Sequence, residues 1–190
     1  MKSLSLLVVI SLLSMGFPNY EVEVAEVDKQ RPMEEYMPEY GYTTVEVAVK
    51  ELEEHFQKEL KLPLRIPPLP FTHQFGRFND SEGTSNDALD IEYINEEKPY
   101  IHYKMMIRHM DSKIPIREKR IIETYTLKNG HEATLINVSG RLQAFVFERE
   151  GWQYMLSVNS KCADIITPEV FVQIANSIDF PEEKEGLLDK

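Results

Sequence analysis

The chain of 190 residues is short of cysteine, of positive charge and of long apolar runs, and each shortage excludes something. Cys162 is the sole cysteine, so no internal disulfide can form in any compartment. Its neighbours Lys161 and Ala163 suggest a loop, and no adjacent base activates the thiol, so it reads as a small structural residue. Lys and Arg number 21 against 32 Asp and Glu, giving a net charge of −11 and a pI near 5.0. Sequence-independent nucleic-acid binding needs a basic face that neutralises phosphates, and an anionic membrane surface needs the same, so neither is the expected partner.

The longest apolar run, Leu4 to Leu13, is far below the ~20 residues that span a bilayer, which argues against a stable membrane span. With Lys2 before it and the small residues Ser14 and Gly16 after it, the run reads as a signal peptide over residues 1–16. The expected location is therefore secreted or extracytoplasmic, associated with the cell envelope. Catalytic signatures are missing as well. HExxH, GxSxG, Walker-type and GxGxxG patterns do not occur, and the five histidines have no ligand-like spacing. The loop "NDSEGTSND", residues 79–87, is rich in oxygen but lacks the ordered ligand positions of a calcium loop, and reads as a turn. No cofactor and no metal are expected, and an enzyme is less expected than a noncatalytic protein.

What is present points to one α+β domain. Residues 17–42 are acidic, carry tyrosine and proline, and hold no sustained period, so an extended linker is predicted there. At Thr43 the character changes. Thr43 and Glu46 fit a capping box, and Val45, Val49, Leu52, Phe56 and Leu60 recur at helical spacing, predicting a helix that Pro63 ends. "LPLRIPPLPF" then reads as an extended connector.

From there to Asn159 the period is two. Leu89, Ile91 and Tyr93 alternate with Asp90 and Glu92, and Ile101, Tyr103, Met105 and Ile107 repeat the pattern opposite His102 and Lys104. Asn129 and Gly130 between two strand-like runs signal a hairpin. Leu142 to Phe147 is apolar on both faces and reads as a central strand. Thr167 and Pro168 then open a last helix with Val170, Phe171, Ile174, Ala175 and Ile178 on one stripe, stopped by Pro181, and a polar tail follows over 181–190. The predicted fold is an antiparallel meandering sheet with an N-terminal and a C-terminal helix packed on one face, in a single domain over residues 43–180.

Several of these segments together carry a resemblance. "LPLRIPPLPF", "ALDIEYI", "GHEATLI", "GRLQAFVFEREGWQYMLSV" and "ITPEVFVQIANSI" resemble an uncharacterised extracytoplasmic domain of Gram-positive bacteria, found in lipoproteins and in the outer part of anti-sigma-type membrane proteins. The likeness runs over roughly residues 62–178 and rests on Phe147, Gly151, Tyr154, Leu156, Thr167, Glu169, Ile174, Ala175, Ser177 and Ile178. It implies a fold and a location, not an activity. The chain departs from the pattern in having no lipid-bearing cysteine and no metal-binding anti-sigma segment.

Three functions fit these residues. The first is a noncatalytic exported binding or regulatory module whose sheet face or helix groove engages a protein partner or an apolar ligand, with the aromatics Phe145, Phe147, Trp152 and Tyr154 as candidate contact residues. Trp152 is in phase with Tyr154, Leu156 and Val158, so a core position competes with a pocket wall for it. The second is a structural component of an envelope or spore layer, with the tyrosine-rich stretch Glu34 to Tyr42 as its adhesive part. The third is a small enzyme whose residues, two of His102, His109, His131 and Cys162, converge only in the fold. "KIPIREKRI", Lys113 to Ile121, stands out as a basic connection on an acidic chain, and a solvated hairpin end is the plain explanation for it.

Overall fold

A computed structural model describes residues 31–80 and 87–178. The signal-like residues 1–16, the first part of the expected linker and the 181–190 tail lie outside them. Alternating apolar positions give seven strands: β1 (His73–Asn79), β2 (Ala88–Ile94), β3 (His102–His109), β4 (Ile121–Thr126), β5 (Glu132–Ser139), β6 (Leu142–Arg149) and β7 (Trp152–Asn159). All pairs are antiparallel, and the order across the sheet is β1-β2-β3-β7-β6-β5-β4. The fold class is α+β.

The simple meander is corrected in one respect. After β3 the chain crosses to the far edge, starts again at β4, and returns strand by strand until β7 docks beside β3. Two apolar strands, β3 and β7, therefore sit in mid-sheet although the connection Met110 to Arg120 and three further strands separate them in sequence. The β6–β7 turn is Glu150-Gly151, both with positive φ (47° and 82°), the backbone of a two-residue hairpin whose twist matches its strands.

Among the described residues three α-helices accompany the sheet: α1 (Met33–Tyr36), α2 (Val45–Phe56) and α3 (Pro168–Asn176). Residues from Met33 to Tyr40, within the predicted linker, are helical, α1 running on into a 3-10 turn that closes on Gly41 at φ 80°. This segment belongs to the domain. Arg77 donates to the Tyr40 carbonyl at 3.2 Å and His73 bonds Glu34 at 2.9 Å. The cap of α2 is Thr44, one residue later than predicted, with its hydroxyl accepting from the Val47 N–H at 3.3 Å. The helix stops at Phe56, well before Pro63, because Gln57 turns left-handed at φ 49°. Thr167 and Pro168 open α3 as predicted, although the Thr167 side chain makes no capping bond to the backbone.

One face of the sheet is apolar over its middle strands. Ile91, Met105, Leu156, Phe145 and Leu135 lie in a row of directly paired positions across five strands and are buried in one cluster with Val45, Ala48 and Leu52 of α2 and Phe171, Ile174 and Ala175 of α3. Each such side chain contributes about 1.5–3 kcal/mol by leaving water. The opposite face begins with charge and ends with aliphatic groups.

Candidate functional site

That opposite face holds whatever the fold leaves available for recognition, and its two halves differ. On β1 to β3 the alternation puts Arg77, Asp90, Glu92, His102 and Lys104 side by side. Lys104 Nζ lies 3.0 Å from Asp90 Oδ2 and 3.2 Å from Glu92 Oε1, and Arg77 Nη2 lies 3.1 Å from the same Asp90 oxygen. Glu92 also bonds His102 Nε2 and accepts from the Tyr42 hydroxyl at 3.2 Å. Tyr42 in turn lies under the Arg77 guanidinium, 4.5 Å from the ring centre.

Both carboxylates are buried. Burial pushes the Glu92 carboxyl up, but the hydrogen bond from His102 and the Lys104 charge outweigh it and hold the group below its ordinary value. Tyr42 is pushed up to about 12 by burial and by the negative charge of Glu92, so it stays protonated and donates. Each acid is thus met by a cation. Such a matched cluster holds the α1 segment down on the sheet, although Asp90 Oδ1 and Arg77 Nε within it make no hydrogen bond.

The other half is aliphatic. Ile136, Ala144 and Val146 are buried there, with Val138, Met155 and Ile116 packed beside them. The connection from β3 to β4 passes over this surface and is pinned at Ile114, whose N–H donates to Gln153 Oε1 at 2.8 Å and whose carbonyl accepts from Gln153 Nε2 at 3.0 Å. Between the connection and the sheet lies a groove of about 350 Å³ lined by Ile114, Pro115, Ile116, Ile136, Val138 and Met155, with Arg117 and Arg120 also lining it. Its size is at the lower end of small-molecule sites. Both arginines are exposed and neither has a carboxylate partner among the described residues. Ile121, paired with Ile136 and therefore on the same face, adds an apolar edge that is 41% exposed.

The structure places the aromatic residues named as candidate contacts in the core. Phe145, Phe147, Trp152 and Tyr154 are at most 3% exposed and belong to the main apolar cluster. Phe145 stacks on Phe171, Phe147 stacks on Tyr154, and Phe56 meets Trp152 edge-on. The polar ends of two of them do a structural job. Trp152 Nε1 donates to the Glu59 carbonyl at 3.0 Å and Tyr154 Oη to the Lys61 carbonyl at 2.8 Å, fastening the connector that leaves α2.

The residues proposed to converge on an enzymatic site are dispersed. His102 is on the charged face, His109 stacks on Phe56 on the core face, and His131 is exposed at the β4–β5 turn. Cys162 is buried against the Tyr100 carbonyl, and burial raises its thiol above the ordinary value, which keeps it protonated. The basic segment was visible in the sequence, but its position over an aliphatic surface depends on the crossover. Among the described residues no helix is long and apolar enough to cross a membrane. No protein family matches the chain, and neither a curated protein nor a solved structure matches it.

Proposed function

We propose that the protein is a noncatalytic binding module that takes a small amphipathic anion, apolar tail in the groove beneath Ile114 to Ile116 and acidic head on Arg117 and Arg120. The observation that carries this reading is two arginines with no acidic partner among the described residues, beside an aliphatic groove, on a chain of net charge −11. An acidic protein repels anions at long range, so a lone basic rim gives the groove a preferred orientation for its ligand as well as affinity. In this reading α2 and α3 cover the same sheet face, side chains of both being in one core cluster, and recognition falls to the other face. The module works outside the cytoplasm, as residues 1–16 suggest, and is akin to the Gram-positive extracytoplasmic domain it resembles. The quoted strand and helix segments support that kinship.

The test is calorimetric titration with saturated straight-chain carboxylates of increasing length, each matched to the alcohol of the same chain. Hydrogen bonds to a charged group are worth about 1.5–3 kcal/mol, so the carboxylate should bind about tenfold to a hundredfold more tightly than its alcohol. Replacing Arg117 and Arg120 together by Gln should bring the carboxylate down to the alcohol's affinity, and Ile116→Asp should weaken both. Absence of saturable binding at any chain length, or affinity indifferent to the arginines, refutes the proposal.

A further inference from the structure

At the opposite edge of the sheet, away from the groove, a second group of side chains has the composition of a metal site. His55 stands in the last turn of α2, its ring packed between Phe56 (centroids 4.6 Å apart) and Phe78 (5.2 Å). Asp80 follows β1 directly and Asp87 directly precedes β2. The strands close on the pair Asn79 and Ala88, so the hairpin register itself sets the separation of the two aspartates. His55 Nδ1 lies 3.7 Å from Asp80 Oδ2, and His55 Nε2 lies 3.4 Å from Asp87 Oδ2. One ligand atom from each of the three residues lies within 4.8 Å of the other two.

We propose that His55, Asp80 and Asp87 bind a divalent transition ion of the zinc class. An ion takes one ring nitrogen of His55, and with one donor atom from each residue within 4.8 Å of the others, rotation of the aspartate side chains brings both carboxylates to that ion at about 2.0–2.2 Å and leaves a further position for water. The imidazole selects against calcium and magnesium, which take oxygen ligands, and in favour of zinc or its first-row neighbours. The other histidine–carboxylate pairs among the described residues, His73 with Glu34, His102 with Glu92 and His109 with Asp111, each involve one carboxylate; His55 meets two. Its position at a helix C-terminus, where the backbone carbonyls present negative potential, adds to the preference for a cation. The rings of Phe56 and Phe78 hold the imidazole in place, so the strongest ligand is already oriented before an ion arrives.

The experiment is titration of the untagged full chain with Zn2+, with Ca2+ and Mg2+ as controls, read by calorimetry and by thermal melting. One Zn2+ per chain with a rise in melting temperature is expected, and neither control ion should bind comparably. Asp80→Asn alters an exposed side chain and should weaken Zn2+ at least about tenfold while leaving the metal-free melting temperature near wild type; Asp87→Asn should weaken Zn2+ as much, with its metal-free melt measured separately. His55→Gln should do the same to Zn2+, with the metal-free melt reporting any loss of ring packing separately. Absence of stoichiometric Zn2+ binding, equal affinity for Ca2+, or Zn2+ binding unchanged in both aspartate variants overturns the proposal.

Discussion

Replacing Lys104 by Met keeps the aliphatic stem and removes the charge that Asp90 and Glu92 share. At 3.0 Å and an effective dielectric near 20, one such contact has a gross Coulomb energy of about 5.5 kcal/mol, before the desolvation of the ammonium group is set against it. Removing one partner of a fully buried pair typically costs about 3–5 kcal/mol. The cost here is smaller, because the Lys104 side chain is 26% exposed, Asp90 retains Arg77 and Glu92 retains His102 and Tyr42. The expected loss is about 2 kcal/mol. With a urea slope of about 2 kcal/mol per M, the unfolding midpoint should fall by roughly 1 M at neutral pH. The pH dependence has a definite sign. Glu92 has a depressed carboxyl value in the folded chain, so its contribution is present above its unfolded value near ~4.3 and is lost as pH falls through the folded value. Wild type should therefore lose stability below about pH 4, and the gap between it and Lys104→Met should narrow there. A neutral-pH midpoint equal to or above wild type would refute the argument, as would strict additivity with Glu92→Gln.

Two further changes probe how the core holds the sheet. A Cβ on Gly76 would sit 2.8 Å from the Val45 Cα and 2.9 Å from the Ala48 Cβ, so Gly76→Ala should force α2 away from β1 and cost about 1–3 kcal/mol; a melting temperature at or above wild type rejects the close approach. Trp152→Phe keeps an aromatic ring but leaves the Glu59 carbonyl without its 3.0 Å donor, and should lower stability by about 1–3 kcal/mol in urea unfolding; an unchanged midpoint would mean that the connector is held elsewhere.

The sequence made the hydrophobic side of this fold legible and the polar side hard to read. Strands β2, β3 and β7 follow from alternation, β6 follows from a run that is apolar on both faces, and the turn at Asn129-Gly130 follows from a glycine that takes φ 82°. β1 was missed because "HQFGRFN" has a glycine where α2 presses on the sheet, so the position facing the helix carries no apolar side chain to signal a strand. The α1 segment was missed for a related reason. It is held by His73, Arg77 and Glu92, residues distant in sequence, and its prolines fit an extended chain as well as a short helix. Alternation with Tyr154, Leu156 and Val158 points Trp152 inward. Alternation alone cannot say how deeply that face is buried, and Phe145, Phe147 and Tyr154 are at most 3% exposed.

The crossover is the step that links topology to the groove. From β3 to β4 the chain passes the positions of β7, β6 and β5, four strand spacings of ~4.8 Å or roughly 19 Å sideways, and returns to the level of Lys104, roughly 17 Å back along β3, a diagonal of about 25 Å. The roughly eleven residues between His109 and Ile121 can reach about 36 Å when extended, so the connection carries slack. That slack is taken up by 3-10 turns at its two ends, Met110–Ser112 and Glu118–Arg120, while Gln153 grips Ile114 between them. A connection stretched taut would lie flat on the sheet, and one without Gln153 would be free to lift from it. Pinned in its first half and turned in its second, it leaves a space over Ile136, Val138 and Met155 and brings Arg117 and Arg120 to that space. The groove and its basic rim thus have a common origin in the far-edge restart of the sheet, which is why the same basic stretch reads as a solvated hairpin end until the strand order is known.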